Sequence, residues 1–167
     1  MTTNFERTAN WLKACGKFPR IVPPADMPSA EDGTAPNEAG LSVQIGCQLE
    51  EFAEYLKTLN VMSPTGATSN ATQEVAAILD AIGYNLKKGH ATAVIYDREQ
   101  ALDALCDIEV TGNGVAYMAA MNKPAADLVV LQSNDDKLNE DGTPVILEGG
   151  KIGKRPGWTP PDLSPFV

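Results

Sequence analysis

The stretch Leu41-Ser-Val-Gln-Ile45-Gly-Cys-Gln-Leu49-Glu-Glu-Phe52-Ala-Glu-Tyr-Leu56-Lys-Thr-Leu59 decides the fold class. Its apolar residues recur at steps of four and three, which gathers them on one stripe of an α-helix. That pattern predicts a helix from Leu41 to Asn60. Downstream, Met62 to Thr72 carries Ser63-Pro64, Gly66, Ser69 and Asn70, residues of turns. A second helix is expected over Ala71 to Lys88, through Val75, Ile78, Leu79, Ile82 and Leu86. Lys87 and Lys88 suit the negative end of its dipole, and Gly89 suits its stop. A third helix is expected from about Asp97 to Met121, with Leu102, Leu105, Cys106, Ala116 and Tyr117 on its apolar side. Gly112 and Gly114 each weaken it by about 1 kcal/mol relative to alanine, and read either as a place of close approach or as a kink. Pro124 opens a short last helix to about Leu138.

Outside these helices the chain changes character. An amphipathic segment from Asn4 to Cys15 carries Phe5, Trp11 and Leu12. Pro23, Pro24, Pro28 and Pro36 then forbid a continuous helix between Pro19 and Gly40, a loop long enough to be either mobile or functional. After the last helix, turns at Asp141-Gly142 and Gly149-Gly150 flank Val145, Ile146 and Leu147, which reads as a small hairpin before a proline-rich tail. The expected architecture is all-α: a four-helix-type bundle with accessory short helices and a small C-terminal hairpin and extended tail. Its organisation reads as residues 1–40, an N-terminal helix and Pro-rich loop; 41–138, the helical domain; and 139–167, an extension packing on that domain.

Composition narrows the function. A chain of 167 residues can bury one core, and its aromatic content of 6% favours close-packed helices over a sandwich. A formal charge of -9 repels duplex nucleic acid, yet leaves polyphosphates accessible when Mg²⁺ sits between carboxylates and ligand. Cys15, Cys47 and Cys106 make no Cys-x-x-Cys pair and read as reduced, small apolar residues. Met1 to Asn10 lacks the apolar core of a signal peptide, and no stretch reaches the length of a membrane span. The expectation is a cytoplasmic protein with no membrane partner.

Two acidic clusters are the candidates for chemistry. Glu50, Glu51 and Glu54 share one side of the first long helix, where a cation or solvent must offset their mutual repulsion. Asp103 and Asp107, at i, i+4, share a face of the third. Each cluster alone reads as well as a solvated helix face. Facing each other on antiparallel helices, they would offer several hard oxygen ligands to Mg²⁺, with Mn²⁺ as a substitute. The single histidine, His90, lies after Gly89, outside both clusters, which disfavours iron and zinc. Glu109 falls on the apolar side of its helix, suited either to a cation partner or to an interface.

Further motifs accompany the clusters in order. They are Ser133-Asn134-Asp135-Asp136-Lys137, Gly150-Lys151-Ile152-Gly153-Lys154 and Trp158-Thr159-Pro160-Pro161-Asp162. With Glu50-Glu51 and Asp103-Ala104-Leu105-Cys106-Asp107, this order resembles the all-α nucleoside triphosphate pyrophosphohydrolases. That superfamily includes MazG, the dimeric dUTPases and phosphoribosyl-ATP pyrophosphohydrolase, and the similarity is to the branch of the last. The likeness spans residues 41 to 163. It implies hydrolysis between the α- and β-phosphates, with Glu51, Glu54 and Asp107 as metal ligands and Asp103 as a ligand or its support. It further implies that Glu50 orients or deprotonates the attacking water and that Asn134 and Lys137 bind phosphate. Lys151, Lys154 and Trp158 would help to close the site, or merely pack the tail on the bundle. Family members are homodimers or homotetramers, so the same is expected here.

The sequence departs from the wider superfamily in two places. That superfamily spaces its second acidic pair at i, i+3, where this chain has Ala104, and Glu109 stands where an apolar residue is expected. Two rival readings therefore accompany the enzyme: a nucleotide-binding module without turnover, and a structural helical bundle with solvated acidic faces.

Overall fold

A computed structural model of the chain describes residues 3–18, 39–147 and 152–167. The loop read at 19–40 lies almost wholly outside those residues. The fold is all-α: the described residues form five α-helices, a two-stranded hairpin and a terminal 3-10 turn. The helices are α1 (Asn4–Ala14), α2 (Ala39–Lys57), α3 (Ala71–Lys88), α4 (Arg98–Met118) and α5 (Lys123–Asp135). The chain forms two compact units, Ile21–Tyr96 and Met1–Arg20 with Asp97–Val167. The cut at Asp97 falls inside the stretch 41–138 that the sequence reads as one helical domain.

In the first unit α2 and α3 pack against each other, and their pairing is antiparallel: Glu50 meets Lys87, and Lys57 further along meets Asp80 further back. The connection is a hairpin, β1 (Val61–Met62) with β2 (Thr68–Ser69), in the register Val61↔Ser69 and Met62↔Thr68. The turn chemistry read over Met62 to Thr72 thus forms a short ladder. Gly66, at φ +83°, closes its turn by donating from N to the Ser63 carbonyl at 2.9 Å.

The most deeply buried residues of α2 are not those of the leucine stripe. Ser42 and Ala53 are buried at 2% and 0%, Gly46 is buried with them, and Leu41 is 39% exposed. The reason lies in two glycines. A Cβ on Gly46 would stand 2.8 Å from the Gly83 carbonyl oxygen, and a Cβ on Gly83 would stand 2.8 Å from that of Gly46. The backbones touch there, so at this level the seam admits only small residues on both sides. Positions 42, 46, 49, 53 and 56 repeat at four and three, and so do 72, 76, 79, 83 and 86 of α3. The register that sets Gly46 against Gly83 sets Ala53 level with Ala76, both wholly buried. Ser42 completes the seam: its Oγ accepts from the Ala93 N–H at 3.0 Å, which satisfies the buried hydroxyl. Larger side chains are displaced outward, leaving Val75, Ile78 and Ile82 each more than 40% exposed on α3.

α3 ends as its sequence requires. Gly89 takes the left-handed conformation at φ 72° and donates to the Asn85 and Leu86 carbonyls.

In the second unit α1 begins with a capping box. Glu6 N donates to Thr3 Oγ1 at 3.2 Å, and Thr3 N donates to Glu6 Oε2 at 2.8 Å. Arg7 joins α1 to α5 through Asp135 at 2.6 Å. Asp97 caps α4 by accepting from Gln100 N at 2.9 Å. Among the described residues outside their own helix backbone, neither Gly112 nor Gly114 has a neighbour within 4 Å of an added Cβ, so neither serves a close approach there. At the end of α4 the chain reverses through Ala120, a non-glycine residue at φ 60°. α5 then starts at Lys123 with Pro124 in its first turn. The C-terminal 3-10 turn, Ser164–Phe166, ties back to this point: Asn122 N donates to the Phe166 carbonyl at 2.8 Å.

The hairpin read around Val145–Leu147 is one antiparallel bridge, Ile146↔Ile152, with Gly153 N donating to the Val145 carbonyl at 2.7 Å. Among the described residues no helix is long and apolar enough to cross a membrane.

Candidate acidic turns and a cation–aromatic node

The acidic turn of α2 splits into two environments. Successive residues on a helix point about 100° apart. Glu50 therefore leans toward α3, where it is half-buried and ion-paired with Lys87. Glu51 and Glu54, at i, i+3, are exposed on the outer side. The repulsion expected among three carboxylates is relieved at Glu50 by an ammonium from α3, 37 positions along the chain. Lys87 read from sequence as a complement to the dipole of α3; in space it is also the partner of Glu50.

On α4 both Asp103 and Asp107 are exposed, one turn apart. Thr111 Oγ1 donates back to the Asp107 carbonyl at 2.7 Å, a bond that keeps this threonine within the helix. Glu109 is exposed as well. The α2 turn and the α4 turn belong to different compact units. Among the described residues no three of His, Cys, Asp and Glu gather into a metal cage. The acidic pairs that share a helix face are thus Glu51 with Glu54, and Asp103 with Asp107.

A second constellation lies wholly within the unit that carries α4 and α5. Trp158 Nε1 donates to the Ser133 carbonyl at 2.9 Å, which pins the tail to the end of α5. Lys154 Nζ stands 3.8 Å from the centroid of the Trp158 ring, and Lys137 Nζ 5.8 Å from it. Both are at cation–π distance. Lys137 Nζ donates to Asn134 Oδ1 at 2.7 Å, and Arg155 N donates to the Lys137 carbonyl at 3.2 Å. Four residues singled out from sequence, Asn134, Lys137, Lys154 and Trp158, are therefore assembled in one place. Lys151, the fifth, lies outside the described residues. Ser133 and Arg155 join the node through backbone groups, which no side-chain motif announces.

Two turns flank this node. Asp141 Oδ1 accepts from Thr143 Oγ1 at 2.6 Å and from Thr143 N at 2.9 Å. Asp162 Oδ1 accepts from Ser164 Oγ at 2.7 Å and from Ser164 N at 3.0 Å. The hydroxyls first, and the backbone donors after them, hold both carboxyls below the usual carboxylate range. These are structural turns that set the path of the tail. In the same unit a groove of about 380 Å³ runs between α1 and α5, lined by Arg7, Asn10, Trp11, Ala14, Asp135 and Leu138. The Trp11 Nε1 donor is buried there without a hydrogen-bond partner among the described residues.

Comparison with protein-family models, with curated proteins and with solved structures finds no match for this chain.

Proposed function

We propose that the protein is a Mg²⁺-dependent nucleoside triphosphate pyrophosphohydrolase, releasing a nucleoside monophosphate and pyrophosphate. The observation that carries this reading is the node of Asn134, Lys137, Lys154 and Trp158. Two ammonium groups gathered on one indole, in a chain of net charge -9, make a local site for an anion. The node shares its unit with Asp103 and Asp107, the acids expected to hold the metal that accompanies a polyphosphate.

In this proposal Glu51 and Glu54 on α2, and Asp107 supported by Asp103 on α4, are Mg²⁺-binding carboxylates, each pair taken within its own unit. Hard oxygen donors suit that ion, which offsets charge on the triphosphate and on the departing pyrophosphate. Glu50, steadied by Lys87, orients the attacking water. Lys137 and Lys154 meet phosphate oxygens as point charges, and the Asn134 amide donates beside them. Trp158 fixes the tail over the end of α5.

The test is pyrophosphate release from a panel of ribo- and deoxyribonucleoside triphosphates, with Mg²⁺ and with chelator. Release that needs Mg²⁺ supports the reading. Absence of release from every nucleotide, with no Mg²⁺ binding by the folded chain, refutes it. One observation favours a second reading, nucleotide binding without turnover: the anion node is complete within one unit. Tight nucleotide binding with no hydrolysis, unchanged by Glu51→Gln, selects it.

A further inference from the structure

α1 turns one face to α5. Arg7, Asn10, Trp11 and Ala14 recur at steps of three, one and three, which stacks them along one side of the helix. With Asp135 and Leu138 they line the groove of about 380 Å³, and all six belong to one compact unit. Three observations say what the groove suits. Arg7 and Asp135 neutralise each other there, which favours a neutral ligand over a phosphate or an ammonium. Their hydrogen bond joins one nitrogen to one oxygen, Arg7 Nη2 to Asp135 Oδ2. Among the described residues Asp135 Oδ1 and the other guanidinium N–H groups have no hydrogen-bond partner. Trp11 Nε1 is a third unmet group, a buried donor of the kind that folded proteins rarely leave unpaired.

We propose that this groove binds a guanine base, the base of a nucleotide whose phosphates lie at Asn134 and Lys137. The inference rests on the nucleotide reading above and names the base which that reading leaves open. Guanine alone among the common bases sets two N–H donors, N1 and N2, beside a carbonyl, O6. The two donors match the two oxygens of one carboxylate, and O6 matches the guanidinium next to it. Adenine, cytosine and uracil each offer a carboxylate only one donor atom on that edge. Trp11 and Leu138 supply apolar surface for the flat ring. N7, beside O6, is an acceptor that the indole N–H reaches by a turn of its ring. Position on α5 connects base and phosphate. Asp135 follows Asn134, about 100° round the helix, and Leu138 follows Lys137 in the turn that ends it. The two sites therefore occupy adjoining faces of one helix end. Selectivity for the base comes from α1, a helix outside residues 41–163.

Calorimetry of the full chain with nucleoside monophosphates, in the absence of Mg²⁺, separates recognition of the base from hydrolysis. Guanosine monophosphate is expected to bind on the order of 10- to 100-fold tighter than inosine monophosphate. The two differ only by the 2-amino group, one hydrogen bond to a charged acceptor. Asp135→Asn is expected to shift the preference toward xanthosine monophosphate, whose C2 carbonyl accepts from the new amide. The Arg7–Asp135 pair is partly exposed, so this variant folds. In nuclear magnetic resonance the Trp11 indole N–H signal, identified by its loss in Trp11→Phe, is expected to move on adding guanosine monophosphate. Equal affinity for the guanosine and inosine compounds, or no binding of either, overturns the proposal. So does an Asp135→Asn that weakens every monophosphate alike, as a packing role requires, or a Trp11 signal that guanosine monophosphate leaves in place. Guanine preference without pyrophosphate release upholds this inference while the proposed reaction fails. Pyrophosphate release blind to the base does the reverse.

Discussion

Replacing Gly46 by alanine tests the account of the α2–α3 seam, because two known effects oppose each other there. Alanine is the better helix former by about 1 kcal/mol, and at an unobstructed site Gly46→Ala would stabilise the chain by that amount. At this site the new Cβ stands 2.8 Å from the Gly83 carbonyl oxygen, 2.9 Å from Lys87 Cγ and 3.2 Å from Leu86 Cβ. The lysine stem can swing aside. The carbonyl cannot, since it belongs to the backbone of α3. The helices must therefore separate by several tenths of an ångström, loosening the layer that holds Ala53 and Ala76. Overpacking costs about 1–3 kcal/mol, and against an immovable backbone carbonyl it falls in the upper part of that range, about 2–3, so after the gain of about 1 kcal/mol the expected net loss is about 1–2 kcal/mol. For a chain of this size that lowers Tm by roughly 2–8 °C. Gly114→Ala is the matched control: with nothing within 4 Å of its Cβ, it is expected to stabilise by about 1 kcal/mol. Urea unfolding followed by far-ultraviolet circular dichroism measures both. Should Gly46→Ala prove as stable as the wild type, with Gly114→Ala behaving as expected, the backbone contact at Gly83 would be refuted.

Three further outcomes are expected. Glu51→Gln and Asp107→Asn are each expected to lower pyrophosphate release by 100-fold or more, about 3 kcal/mol, and to weaken Mg²⁺ binding in calorimetry while leaving the helical signal intact. Trp158→Phe keeps a ring for Lys154 but removes the donor to Ser133, so it is expected to cost about 1 kcal/mol in denaturant unfolding; a cost near zero would detach the tail from α5. The C-terminal turns are expected to loosen in acid. Asp141 and Asp162 have carboxyls depressed in the fold, so their contribution is complete above the ordinary carboxylate pKa of about 4 and disappears as pH falls through the lower folded values. Amide exchange at Thr143 and Ser164, followed from pH 6 into acid after correction for intrinsic rates, should show protection kept through the ordinary carboxylate range and lost only on further acidification.

Helix boundaries were legible where local chemistry sets them. Ala71–Lys88 has the bounds read from sequence because Asn70 supplies a turn before it and Gly89 a left-handed stop after it. Asp97 marks the start of α4 for the same reason, as its N-cap. The capping box at Thr3 and Glu6 was equally local and went unread. What periodicity could not give was the face turned inward. The leucine stripe of α2 is the stronger apolar signal, but the most deeply buried residues are Ser42, Gly46 and Ala53, because the backbone approach at Gly46 selects for size before hydrophobicity. Only Gly83, on another helix, makes that choice visible. The node around Trp158 was legible as a set of residues and not as a shape: its bonds run to the carbonyls of Ser133 and Lys137, and backbone acceptors leave no trace in residue type.

Glu50 shows why a motif does not fix a role. Glu50, Glu51 and Glu54 are chemically alike and lie within a single turn, so any argument from spacing treats them as one cluster. Packing separates them. Glu50 lies beside the seam, where Gly83 leaves room for its stem: a Cβ on Gly83 would come within 3.1 Å of Glu50 Cγ. The same missing side chain that lets α2 meet α3 lets Glu50 reach Lys87. Gly83→Ala is therefore expected to disturb two things together, the backbone contact and the carboxylate that the proposed reaction uses to orient water. Lys87→Met removes the ammonium and leaves the glycines alone. If Glu50 serves only packing, Lys87→Met lowers stability and leaves turnover per folded molecule unchanged. If Glu50 orients water, Lys87→Met lowers kcat while KM holds, because the substrate contacts lie on other residues. The split between kcat and KM, measured at a temperature where both proteins are fully folded, decides which role the turn of α2 gives its first glutamate.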